Sequence, residues 1–290
     1  MIGWIDTIIQ GLLLGGLYAL FAAGLSLTFG IMRLINIGHG DLIVLAGYLG
    51  LVATDAPGLN PFWSLVFVVP AMAVLGYGLQ RVVLNRTLGT DILPPLLVTF
   101  GLSIILQNLL MQLFSADSRG LNAGPFETAS IALPGGLAVG VFPVLIFLTA
   151  VAVIGGLQLV FSRTSLGRAF RAASDDRVTA ELMGIDNRHI YGLAMAIALA
   201  IVGIAGVYLA IRTSIDPTVG PSRLLYAFEA VIIGGLGSLW GTLAGGMILG
   251  LAQSIGFRLD PGWGILTGHM AFLAVLVLRP NGLFPKTRDR

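Results

Sequence analysis

The sequence predicts an all-α polytopic membrane protein. Of the 290 residues only 10% are charged and 56% are hydrophobic, and mean hydropathy is +0.94. A soluble domain carries about 25% charged residues. So few charges cannot cover a surface facing water, although they suffice for one facing lipid. The 40 glycines agree, because small residues let membrane helices approach closely. No cysteine is present, which excludes disulfides and thiol chemistry. The N-terminus lacks a basic segment followed by a small-residue cleavage site, so the first apolar run is expected to be a retained span.

Uncharged runs give the spans. They are Thr7 to Met32, Ala56 to Gln80, Ile92 to Ala116, Thr128 to Ser162, Ile190 to Ile211, Ala230 to Phe257 and Pro261 to Leu278, with a shorter one from Leu42 to Thr54. Each is apolar on all sides, whereas a membrane β-strand alternates. In lipid the backbone must satisfy itself, so these runs are predicted to be helices.

Basic residues set the orientation. Arg33, Arg81, Arg86, Arg163, Arg168, Arg171, Arg177, Arg188, Arg279, Lys286, Arg288 and Arg290 can share one side, leaving Arg119, Arg212, Arg223 and Arg258 on the other. The richer side is cytoplasmic by the positive-inside rule. The N-terminus is then outside and the C-terminus inside, which needs an odd number of crossings. Roughly eight to ten helices fit, and nine is favoured if the long stretch 224–257 breaks at Gly234-Gly235-Leu236-Gly237-Ser238. A second interrupted segment covers 35–54, where Ile37-Gly38-His39-Gly40-Asp41 precedes a short apolar run. Paired broken segments in two halves suggest an inverted repeat around a central path. The only internal match is Leu-Ala-Gly at 45–47 and 243–245.

Candidate pathway residues follow from these breaks. Asn36, His39 and Asp41 stand where exposed backbone can meet a zwitterion, though all three are also ordinary turn residues. Glu229 is the only acid well inside a hydrophobic stretch. A buried charge of this kind faces a cavity or a partner. It has three candidate placements: on the path, bonded to the break at Gly234 and Gly235, or beside Arg223 near the outer interface. Thr99, Gln107 and Asn108 suit bonding between helices. His189 and His269 are isolated in sequence, so no metal site is expected. No catalytic constellation emerges.

The segment 163–188 is the one long charged stretch. It reads RTSLGRAFRAASDDRVTAELMGIDNR. Thr164 or Ser165 can start a helix and Gly184 can end one. Arg171 with Asp175, and Arg177 with Glu181, stand four apart and can pair. Phe170, Val178, Leu182 and Met183 give it an apolar face. Either a solvated loop or a helix seated in a partner's groove fits.

The stretch GRAFRAASDDRVTAELMGID within this segment resembles the coupling-loop motif of ABC importer permeases, in particular those of high-affinity branched-chain amino-acid transporters. The stretches GLLLGGLYALFAAGLSLTFGIMRLINIGHGDLIVLAGYLG, EAVIIGGLGSLWGTLAGGMILGL and VLRPNGLFP agree, so the resemblance covers nearly the whole chain. It implies one permease domain over 1–290, with a cytoplasmic coupling loop at 163–188. Gly167, Arg168, Arg171, Ala172, Asp175, Asp176, Ala180, Glu181, Leu182 and Gly184 would meet the ATPase. The implied partners are a second, related permease subunit, two ATP-binding subunits carrying ATP and Mg, and a periplasmic binding protein. The implied setting is the lipid bilayer of a bacterial inner membrane. Importers of urea, short amides and other small acids share these motifs.

The sequence independently excludes an ATPase. Its only lysine, Lys286, lies in the tail, and a P-loop needs one within GxxxxGK[ST]. No cofactor of its own and no nucleic-acid partner are expected. A different class of function, an ion-coupled carrier, would need intramembrane carboxylates or histidine relays.

Overall fold

A computed structural model describes residues 2–55, 60–89, 91, 93–134 and 136–284. Lys286, Arg288 and Arg290, which entered the charge count, lie outside the described residues, as do Ile92 and the start of the run at Ala56. The helices are α1 (Ile2–Met32), α2 (His39–Asp55), α3 (Pro61–Val82), α4 (Leu93–Phe114), α5 (Pro125–Thr128), α6 (Val141–Arg163), α7 (Ser165–Asp175), α8 (Arg177–Leu182), α9 (Asn187–Arg212), α10 (Gly220–Gly234), α11 (Leu239–Leu259) and α12 (Gly264–Leu278).

Among the described residues seven segments are long and apolar enough to cross a membrane, and α2 and α10 are shorter helices of 17 and 15 residues. The break in 224–257 is real: Gly235 and Gly237 have φ of 104° and 77°, and Ser238 then caps α11 by accepting from the Gly241 amide. That backbone conformation strains any residue with a Cβ.

The run from Thr128 to Ser162 is not one helix. Its first part pairs as an antiparallel hairpin of β1 (Ser130–Leu133) and β2 (Leu137–Gly140), and α6 begins only at Val141. Pro134 and Gly136, the latter with φ of 78°, break helical continuity there.

The packing of α1 to α4 parallels that of α9 to α12, except that α12 lies close along α11 while α4 does not lie so along α3. Helix α1 packs along α11 as α9 packs along α3, and α10 lies on α1 as α2 lies on α9. Helix α2 touches α3 and α4, as α10 touches α11 and α12, and the equivalent pairs α1–α9 and α2–α10 meet each other. The Leu-Ala-Gly match does not mark this register. It joins α2 to α11, which are not equivalent helices.

Helices α1 and α9 form the centre, with 67% and 78% of their span windows buried, against 11% for α12. Glycine makes the central packing close. A Cβ on Gly15 would stand 2.4 Å from Met247 Cα, and one on Gly250 would stand 2.4 Å from the Gly11 carbonyl. Gly11, Gly15, Gly246 and Gly250 therefore serve α1–α11 packing within the chain.

Candidate functional site

The first polar cluster lies where α1 gives way to α2. Arg33 takes a φ of 53°, ending α1, and the Asn36 carboxamide accepts from the Gly38 amide at 3.0 Å. The His39 ring bonds the Phe21 carbonyl at 2.7 Å, and the Ile37 amide donates to Thr99 Oγ1 at 3.2 Å. Asp41 accepts from Ser103 Oγ at 2.5 Å and from Gln107 Nε2 at 3.0 Å. Asn36, His39, Asp41 and Thr99 are all buried. This is a turn held inside the bundle, not at its interface with water.

Asp41 lies in the first turn of α2 and also abuts the first turn of α10, since a Cβ on Gly220 would stand 2.0 Å from Asp41 Oδ1. Two helix N-termini, each a partial positive charge, thus converge on one carboxylate. That arrangement and the two side-chain donors offset its removal from water. Asn108 plays no part, because it bonds the Ile104 carbonyl of its own helix.

Glu229 anchors a second cluster. Its Oε1 meets His269 Nδ1 of α12 at 2.5 Å, and its Oε2 is buried without a hydrogen-bond partner among the described residues. Isolated in sequence, His269 nevertheless gains an acidic partner in the fold, because α12 packs against α10. His189 also has a partner, Tyr77 Oη at 2.9 Å. Gly234 packs on Gly241 instead, and the Leu283 and Phe284 amides donate to the carbonyls of Ile233 and Gly234. Among the described residues the glycine break thus makes no bond to Glu229.

Sequence reading missed most neighbours of this acid. Tyr18 donates to Gln253 Oε1 at 2.5 Å, and its ring lies 5.1 Å from that of Tyr226. The Tyr18 phenol is within electrostatic reach of Arg212, Arg223 and Glu229. Arg212 Nη1, Arg223 Nε and Gln253 Nε2 are buried with no hydrogen-bond partner among the described residues. Arg223 was named as a possible neighbour of Glu229, but Arg212, Tyr18 and Gln253 were not, because a signal spread over four helices has no spacing to read.

The charged segment forms two helices, not one. Thr164 caps α7 through the Gly167 amide, and Asp176 caps α8 through the amides of Val178 and Thr179. Those amides and the Thr179 hydroxyl are why the Asp176 carboxyl lies below the usual carboxylate range; the hydroxyl is the largest cause. Gly184, with φ of 87°, follows the end of α8. Arg177 and Glu181 pair at 3.6 Å as expected. Arg171 does not pair with Asp175: its guanidinium donates to the Phe161 carbonyl, an acceptor that the end of α6 leaves free.

The expected apolar face divides in two. Phe170 is fully buried against Phe161, while Val178, Leu182 and Met183 are 67%, 81% and 78% exposed. Gly167 and Ala180 are buried. Arg168, Arg171, Asp175, Asp176, Glu181 and Gly184 are exposed, and Ala172 is half-buried. Ser174 Oγ bonds the Gly30 carbonyl at 2.8 Å, tying α7 to the end of α1.

Comparison with known proteins places this arrangement. Residues 7–276 match the family model described as branched-chain amino acid transport system / permease component. The chain is 30% identical to the high-affinity branched-chain amino acid transport system permease protein BraD of Pseudomonas aeruginosa, over 97% of this chain and 95% of that one. It is 26% identical to LivH of Escherichia coli, a permease protein of the same description, over the same shares. The ribose import permease protein RbsC of Haemophilus influenzae is 23% identical over 86% of this chain and 77% of its own. A solved structure, PsaBC from Streptococcus pneumoniae in complex with Fab, superposes with a TM-score of 0.50 at 16% identity over 97% of both chains, a likeness of fold alone. Matched along nearly its whole length, this multi-pass membrane protein belongs to the family of branched-chain amino acid transport permease components.

Proposed function

We propose that the chain forms half of the translocation path of an ATP-driven importer for branched-chain amino acids. Helices α7 and α8 seat in a groove of a separate ATP-hydrolysing subunit. The observation that carries this reading is the exposed apolar group Val178, Leu182 and Met183 on a short helix outside the bundle, in a chain of this family. A second, related permease chain completes the path. A binding protein delivers cargo at the end carrying the β1–β2 hairpin. The similar packing of α1 to α4 and α9 to α12 supports alternating access, the two sets exchanging arrangements about the short helices α2 and α10.

The Glu229–His269 pair is what a proton-coupled carrier would need, so the energy source is the sharpest test. Proteoliposomes holding the whole complex should take up leucine only with ATP on the α7 side, and should continue when a protonophore collapses the gradient. Uptake that follows the proton gradient instead would refute the importer.

Orientation is tested separately. A cytoplasmic reporter fused after Arg290 should be active and a periplasmic one silent. The reverse pattern would invert the topology and remove the ATPase from the face that α7 and α8 occupy.

A further inference from the structure

Among the described residues, four of the buried side-chain polar atoms that lack a hydrogen-bond partner belong to residues linked to Tyr18 and Tyr226. Arg212 Nη1, Arg223 Nε and Gln253 Nε2 are donors, and Glu229 Oε2 is an acceptor. Glu229 and Gln253 are 1% and 2% exposed. Gln253 bonds Tyr18, whose ring lies tilted 5.1 Å from that of Tyr226, and Arg212, Arg223 and Glu229 are within electrostatic reach of the Tyr18 phenol. An unpaired buried polar group is costly, and a charged one more so, so these atoms call for a complement.

The complement has a definite shape. On α10, Arg223, Tyr226 and Glu229 follow at intervals of three residues, so they drift over an arc of about 120° and rise about 9 Å along the helix. Arg223 lies in the first turn of α10 and Arg212 ends α9, while the acceptor lies further along α10. An anion at one end and a cation at the other are the two charges of a zwitterion. Guanidinium binds carboxylate through charge-assisted, often paired, hydrogen bonds. A carboxylate oxygen accepts from ammonium. The aromatic rings between them give an apolar wall.

We propose that Arg212 and Arg223 receive the carboxylate, and Glu229 the ammonium, of an α-amino acid passing through this chain, with Tyr18, Tyr226 and Gln253 shaping the contact. His269 positions Glu229 by holding its other oxygen. This proposal rests on the reading of the chain as an amino-acid permease, and it assigns to the permease a recognition step of its own.

The test is equilibrium binding to the purified complex in nanodiscs, without binding protein, with L-leucine, leucinamide and N-acetyl-leucine as probes. Arg223→Gln should weaken leucine binding by at least about tenfold, equivalent to about 1.4 kcal/mol, and hardly change leucinamide, which lacks the anion. Arg223→Lys should recover part of the leucine affinity. Glu229→Gln should weaken leucine more than N-acetyl-leucine, which lacks the cation. Equal losses for leucine and leucinamide would overturn the assignment and mark Arg223 as structural or held by a lipid phosphate. So would the absence of leucine binding to the wild-type complex up to about 10 mM. Leucine uptake by the wild-type complex with its binding protein tests the underlying reading separately. If uptake is intact and the probes are not distinguished, this site is wrong and the permease reading stands.

Discussion

Changing Leu182 and Met183 together to aspartate should uncouple transport, lowering uptake and cargo-stimulated ATP hydrolysis at least tenfold while insertion stays normal. Both side chains project from the end of α8 and are largely exposed among the described residues. Burying one such side chain in a partner contributes roughly 1.5–3 kcal/mol, and an aspartate there would bury an unpaired charge. Their removal should leave the chain's own fold little affected, because so little of either side chain is buried in it. The measurements are ATPase activity, uptake and retention of the ATP-binding subunit on purification. Wild-type values for all three would place the docking surface elsewhere. Ala172→Trp is a weaker companion, since Ala172 is already half-buried and its added volume would strain α7 as well as any groove.

Gly220→Ala should prevent stable assembly of the chain, with several-fold less protein in the membrane and no measurable uptake. The added Cβ would fall 2.0 Å from Asp41 Oδ1 and 2.9 Å from the Asp41 amide, while Gly40 across the contact faces the Gly220 carbonyl. Neither side can yield. Asp41 is fixed by Ser103 and Gln107, and the rest is helical backbone. Overpacking of a well-packed core costs about 1–3 kcal/mol even where side chains can shift. That is a large share of a typical stability of about 5–15 kcal/mol. Gly101→Ala on α4 is the control, because its Cβ would meet nothing within 4 Å. Normal accumulation and uptake by Gly220→Ala would show that α2 and α10 do not need this contact. Equal damage from Gly101→Ala would point to helix propensity or lipid effects instead.

Much of this architecture was legible in advance. Lipid burial demands about 20 consecutive apolar residues, and such a run is visible without knowing its neighbours. The two broken segments were equally legible, because Gly-Gly-Leu-Gly-Ser and Ile-Gly-His-Gly-Asp are local turn chemistry. The caps at Thr164 and Asp176 are local too, though only Thr164 was read as one. The run from Thr128 failed for the opposite reason: absence of charge was taken as helix, and the weight of Pro134 and Gly136 was missed.

The sites divide along the same line. Asn36, His39 and Asp41 could be named because they adjoin a visible break. That Asp41 is held by Ser103 and Gln107, some 62 and 66 positions away, could not. Arg171 shows how a local rule loses to a tertiary one: spacing offered it Asp175, and the free carbonyl at the end of α6 claimed it. A helix in water satisfies its charges from its own surface, whereas one packed against a neighbouring helix end finds acceptors already desolvated and oriented.

By itself the sequence determined that this is a helical, multi-pass membrane protein, and that the segments 35–54 and 224–257 are interrupted. Each of these follows from hydrophobic length or turn chemistry, both of which act over a few residues. Only the tertiary structure decided that the packing of α1 to α4 parallels much of that of α9 to α12, that His269 answers Glu229, and that Tyr18 meets Gln253 and Tyr226. Those are relations between helices, set by which glycine faces allow close approach. Because membrane helices are apolar all round, hydrophobic periodicity does not announce their contacting faces, and packing alone selects them.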